Sequence, residues 1–402
     1  MAYVRATVLA SVVLALCACT GLPGGTALVS PSPTMPVATT ASPVPTPPEF
    51  PSPSPGGPMP PVPARLTCGS SFGPTANVAL VRLKGDTGVK VRDISDLSQP
   101  VSRCALSGAG ANYFRFRTAT QVSYIASNAA GVSALYMADL PSRRTSLVRL
   151  WTDGAFGDWV YAWSPDGKML SYLTSTIDAL AWHVLSVAGD TTLSRLAPVP
   201  GRGISTDSDD AMTGFSADGQ YVALVQTFSG TDAGAPSFQI VRLSDHALVY
   251  SRRDGTMAVW AGAGARLFFR TLAGVESWDP KAGVQLVVPG LAWIHPWASA
   301  DGLRIVYTVG DGTGNHQVAY LRLADQPPLG IGWMFMHPGT AAVFLNSTLV
   351  WYAEEASCAK VQCGLGGPPL TGRTLLADLV TQTERPSIDT GVFDSWPHVG
   401  AA

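Results

Sequence analysis

His295, Asp394 and His398 are the side chains in this chain that could work together in acid–base or ligand chemistry. His295 stands two residues before Trp297, His398 two after Trp396, and Asp394 two before Trp396. If the strands carrying these tryptophans converge on one axis, a carboxylate and two imidazoles meet at the mouth of a central channel and form a candidate ligand mouth. The three offsets differ, so ordinary polar lining of a channel is the plainer reading of the same residues.

Other candidate chemistry is weaker. Asp207-Ser-Asp-Asp210 is the densest acidic cluster; carboxylate oxygens could bind Ca²⁺ there, but the spacing matches no full ligand set and a solvated loop is preferred. Asp166, Asp218 and Asp301 recur at one position of a repeat, which makes them turn-forming residues first. They do not match the sialidase Asp-box, because Gly follows Asp directly in all three. Gly214-Phe-Ser-Ala-Asp218 is not a nucleophile elbow, and Gly310-Asp-Gly-Thr-Gly-Asn315 lacks the Lys-Ser/Thr of a phosphate loop. Trp151 and Trp159, each near a Gly-containing turn, are candidates for sugar stacking, with core packing the plainer role. No catalytic residue, metal or cofactor is expected.

The elements that must position these residues come from a repeat. Trp163-Ser-Pro-Asp-Gly-Lys-Met-Leu-Ser-Tyr172 returns as Phe215-Ser-Ala-Asp-Gly-Gln-Tyr-Val-Ala-Leu224 and as Trp297-Ala-Ser-Ala-Asp-Gly-Leu-Arg-Ile-Val-Tyr307. In each copy an aromatic ends a short strand, Asp-Gly suits a two-residue hairpin, and an alternating apolar strand follows. Strands are expected at 169–174, 182–188, 192–196, 221–227, 238–244 and 247–251. Degenerate copies put anchors at Phe116, Trp163, Phe215, Trp260, Trp297, Phe344 and Trp396. All-strand repeats at this spacing predict a β-propeller of seven four-stranded blades, with six or eight the alternative counts. Trp396 has no blade behind it, and residues 77–105 have no opening strand. The C-terminal strand is therefore expected to be the inner strand of that first blade, closing the ring.

The Trp-Ser-Pro-Asp-Gly-Lys phrase with its apolar strand and Tyr resembles the TolB-type propeller repeat, a relative of WD-repeat blades. The likeness is best at 161–174, fair at 213–226 and 295–308, and faint elsewhere. It implies an extracytoplasmic propeller that binds proteins or ligands without catalysis. TolB carries an additional N-terminal domain where this chain has a Pro-rich stretch, so a role in the Tol envelope system is not carried over. Peptidases of the prolyl oligopeptidase type follow a similar propeller with a hydrolase domain. None follows the expected closing strand in these 402 residues, and that activity is not expected.

Composition fits export. The chain has 26 basic and 28 acidic residues for a net charge of −2, with no basic block, so nucleic-acid binding is not expected. Arg5 precedes an apolar run from Ala6 to Ala18 with signal-peptide dimensions. Leu16-Cys-Ala-Cys19 resembles a bacterial lipobox, which makes residues 1–18 a signal peptide and Cys19 the lipidated residue. Residues 19–65 then form a linker, 20–64 holding 15 of the 32 prolines, and 66–402 the propeller domain. Cys68, Cys104, Cys358 and Cys363 remain after processing, an even number that reads as disulfides. Three pairings are open, and local spacing favours Cys68–Cys104 and Cys358–Cys363. The expectation is thus a monomeric, non-catalytic binding protein, lipid-anchored outside the cytoplasm, whose partner is an envelope protein or small ligand. The alternative is an enzyme, lyase or hydrolase, using the propeller face on glycans.

Overall fold

The computed structural model describes residues 59–69, 77–83, 88–95, 101–108, 110–151, 160–175, 180–196, 212–225, 238–310, 314–323, 335–358, 363 and 368–400. The signal segment, Cys19, most of the Pro-rich stretch, the Asp207–Asp210 cluster and Trp159 lie outside them. The described residues form strands and connections only, with no helix among them.

Seven antiparallel sheets make a β-propeller. The inner strands of blades one to seven are Ala111–Thr118, Tyr161–Trp163, Met212–Phe215, Thr256–Trp260, Ile294–Ala298, Gly339–Phe344 and Asp389–Trp396. Blade five shows three strands among the described residues and blade seven shows five. The second strands are apolar on both faces because each is sandwiched between neighbouring blades. In Gln121–Ser127, Val122, Tyr124 and Ala126 pack towards blade seven, while Ile125 packs towards Tyr161 and Trp163 of blade two.

The ring closes as the sequence predicts. Asp389–Trp396 pairs with Val78–Leu83, placing Trp396 opposite Val78 and Asp394 opposite Leu80. The fifth strand of blade seven was not foreseen. Arg65–Cys68 pairs with Val101–Ser107 on the outer edge, and the Cys68–Cys104 disulfide joins the two strands. Residues 59–64, assigned from sequence to the linker, pack onto blade one. Ala64 N donates to the Tyr124 hydroxyl at 2.9 Å, and the Tyr136 hydroxyl donates to the Pro61 carbonyl. Cys358 and Cys363 form the second disulfide.

The Asp-Gly turns are four-residue loops rather than the expected two-residue hairpins, and their hub is the preceding serine. Ser164 N donates to Met169 O at 2.9 Å and Gly167 N to Ser164 O at 2.8 Å. The Ser164 hydroxyl accepts from Met169 N at 2.9 Å and donates to Asp166 Oδ1 at 2.7 Å; that oxygen also accepts from Lys168 N. Ser216–Tyr221 and Ser299–Arg304 repeat the pattern. Gly167, Gly219 and Gly302 have φ of 67°, 66° and 68°, a left-handed conformation that glycine adopts at little cost. Burial pushes the Asp166 and Asp301 carboxyls up, but the serine and backbone donors outweigh it and hold both below the usual range. These aspartates are committed to the turn.

One anchor shifts. Phe116, Trp163, Phe215, Trp260, Phe344 and Trp396 occupy equivalent slots, opposite Val122, Leu170, Val222, Leu267, Val350 and Val78. In blade five Ala298, not Trp297, fills that slot opposite Ile305. Trp297 points the other way, against the cluster holding Phe344 and Tyr352. Fully buried Trp293 supplies bulk on the Ala298 side.

Candidate functional site

The inner strands enclose a cavity of about 520 Å³ to which all seven blades contribute. Trp163, Phe215, Trp260, Trp297 and Phe344 line it along with Val160, Met212 and Val259. Four inner strands carry a bulge with a non-glycine residue in the left-handed region: Tyr113 (φ 56°), Met257 (48°), His295 (49°) and Ala341 (53°). Each stands three residues before its blade's anchor slot. Such bulges bend a strand and re-aim its side chains.

The charged part of the lining is one-sided. Asp394 is buried on blade seven; its Oδ2 accepts from Phe116 N of blade one at 2.7 Å and its Oδ1 from Ser395 N at 3.0 Å. His398 Nε2 lies 3.0 Å from each carboxylate oxygen. Burial pushes the Asp394 carboxyl up, yet His398, Arg115 and the Phe116 amide together hold it below its ordinary value. The carboxylate is therefore ionised at neutral pH, and His398 Nε2 must donate to it. Arg115 donates from Nη1 to the Phe393 carbonyl at 2.5 Å and also lines the cavity. Beneath them the buried Tyr161 hydroxyl donates to the Tyr113 carbonyl, with Ser123 Oγ at 3.1 Å. Burial raises the Tyr161 phenol above its usual range.

Of the three residues proposed for the ligand mouth, the structure places Asp394 and His398 in contact and leaves His295 out of the cavity lining. His295 sits on its bulge with a buried Nδ1 that has no hydrogen-bond partner among the described residues. Trp151, proposed for sugar stacking, is buried between blades one and two, edge-on to Tyr172. Arg115 was missed, although Phe114-Arg-Phe-Arg117, two cations interleaved with aromatics in an inner strand, was a visible signal. Its neighbour Arg117 is structural. Buried, it donates from Nε to Gly167 O at 2.7 Å and lies over the Trp163 ring, and burial lowers its guanidinium to about 10 despite Asp166.

After Trp396 the chain crosses the end of the channel at which the inner strands finish. Pro397, His398 and Val399 line the cavity, and a Cβ on Gly302 would lie 3.2 Å from Val399 Cγ1. Gly400 reaches the blade-three turn, so close that a Cβ there would stand 2.2 Å from the Ala217 carbonyl oxygen. A second cavity of about 600 Å³ lies on this face, lined by Thr118, Asp166, Asp218, Trp396 and Gly400 among others.

No family model matches the chain, and no curated protein matches it. Solved structures do. An oligogalacturonate lyase from Vibrio parahaemolyticus aligns over 81% of this chain and 86% of its own, with 8% identity and a TM-score of 0.51. A prolyl endopeptidase aligns over 81% of this chain with 13% identity and a TM-score of 0.51; the chain spans half of that protein's length. TolB from Acinetobacter baumannii aligns over 61% of this chain and 60% of its own, with 15% identity and a TM-score of 0.41. At such identities the two likenesses at a TM-score of 0.51 speak for the propeller fold alone.

Proposed function

We propose that this chain is an extracytoplasmic β-propeller, tethered to the membrane through Cys19, that binds a protein or small ligand without catalysing a reaction. The observation that carries the reading is the channel. It is an aromatic-rich concavity within the ~300–1,000 Å³ of ligand sites, with its charged groups on one wall. The one carboxylate on that wall already accepts three N–H donors, so it orients His398 rather than facing a substrate. Two disulfides support an exported setting. The glycan-enzyme reading rests on the same Asp394–His398 contact and is separable by experiment. Incubated with plant and bacterial polysaccharides, the full chain is expected to release neither reducing ends nor unsaturated sugars, while capturing a stoichiometric partner from envelope extracts. Turnover that disappears in His398→Ala would replace binding with catalysis.

Residues 1–18 act in this proposal as a signal peptide and the Pro-rich segment as a semi-extended tether. Labelled fatty acid should enter the wild-type chain and not Cys19→Ser. Equal labelling of the two would remove the anchor from the proposal and leave the channel untouched.

A further inference from the structure

We propose that the channel takes an anionic ligand, a carboxylate carried on an aromatic or aliphatic body, with its charged end seated on Arg115 beside His398. This rests on the binding reading above and gives it a ligand class.

Among the described residues lining the cavity, the charged side chains are Arg115 and Asp394, with the His398 imidazole beside them. All three lie where blades one and seven meet. Their charges are not equally available. Both Asp394 oxygens accept hydrogen bonds, two of the donors being backbone amides that cannot turn away. Arg115 has no such partner. It forms no ion pair among the described residues; Nη1 meets the neutral Phe393 carbonyl, with a 3.5 Å approach to the Phe114 carbonyl. A guanidinium carries five N–H donors. Anchoring Nη1 leaves the Nε–Nη2 edge without a partner among the described residues, and that edge matches the two oxygens of a carboxylate in a fork-to-fork pair. What the wall offers a ligand is therefore a preoriented cation and an imidazole, while the one anion is internally satisfied. Across the channel Phe215, Val259, Trp260 and Trp297 offer an apolar face to the ligand body.

The test uses the full chain in detergent and measures, by ligand-observed NMR and calorimetry at pH 7, the binding of benzoate, phenylacetate and indole-3-acetate against their uncharged carboxamides. At least one acid should bind tenfold or more tighter than its amide. Arg115→Met should abolish that preference while changing amide affinity less than threefold. Arg115→Lys, which keeps the charge without the fork, should retain a reduced preference, and it decides the matter if the Met variant does not fold. Acid and amide binding equally well would overturn the anion class and leave the binding reading standing. If no acid and no amide binds, the anion class falls, and the binding reading stands or falls on the capture of a partner from envelope extracts.

Discussion

Removing residues 387–402 is expected to abolish cooperative unfolding rather than trim a tail. The strand Asp389–Trp396 is the inner strand of a blade whose other strands lie more than 280 positions earlier, and it is bonded to both neighbouring blades. Asp394 accepts from Phe116 N of blade one, and Ser395 Oγ donates to Phe344 O of blade six at 2.7 Å. The Asp389 carbonyl accepts from Trp351 Nε1 and Thr374 Oγ1, again of blade six. Without this strand, Val78–Leu83 becomes an open edge, and apolar faces of two blades meet solvent. Aggregation, or a broad melt without a folded baseline, should follow. The milder Trp396→Ala keeps the backbone and should destabilise by about 3–5 kcal/mol, because the ring is packed with Val78, Phe116 and Tyr124. Urea titration followed by intrinsic fluorescence reads both. A truncated chain with the midpoint of the full protein would show the closing strand to be dispensable.

The closure was legible because it leaves a mark in composition: Trp396 has anchor character with nothing behind it, and 77–105 has blade strands with nothing before them. Period-two alternation placed the strands of blades two and three to within a few residues. What escaped was set by geometry that residue type alone does not encode. Trp297 looks like the other anchors, yet the turn that follows begins at Ser299. Counting three residues back from Asp301, as Asp166 counts back to Trp163, gives Ala298. The serine before each Asp-Gly was quoted in every copy, but its role as a hub depends on a loop longer than the dipeptide suggests. The strand Arg65–Cys68 was hidden at the edge of a Pro-rich segment, where Cys68 pointed only to the disulfide and not to the strand pairing behind it.

Site legibility was more uneven. Asp394 and His398 share one strand end and the turn after it, so proximity in sequence carried them together. His295 belonged to another blade, and its place depended on a bulge that no pattern of apolar residues reveals. Arg115 required knowing that residue 115 follows a left-handed Tyr113 and lines the axis. The crossing of residues 397–400 over the channel depends on contacts with Ala217 and Gly302, which lie about a hundred or more residues away.

The second large effect concerns a buried charge pair that nothing in the sequence announced. Arg92 and Asp389 are both buried, with Nη2 and Oδ1 3.1 Å apart but not aligned as a hydrogen bond. Arg92 lies opposite Ala79, on the face that packs against blade six, and its Nε and Nη1 have no partner among the described residues. Burial pushes the Asp389 carboxyl above its usual range, and the opposing pull of Arg92 falls short. Asp389→Leu leaves a guanidinium stranded in an apolar interface and should destabilise by about 3–5 kcal/mol. Because the folded pKa of Asp389 is raised, the wild type itself loses this carboxyl's contribution as pH rises, so the loss in Asp389→Leu should be no larger at pH 8 than at pH 5. Arg92→Met strands a carboxyl instead, and a carboxyl can take a proton. With its folded pKa raised above the unfolded value, its contribution is intact at low pH and disappears as pH rises through the folded pKa. Arg92→Met should therefore destabilise less at pH 5 than at pH 8. The double variant Arg92→Met/Asp389→Leu should recover most of either loss, because neither charge is left without its partner. Urea denaturation of the four proteins at both pH values completes the cycle. If Arg92→Met loses the same stability at both, the carboxyl does not neutralise within the fold. If the double variant is no better than the single ones, the interface depends on the volume of these side chains and not on their charge.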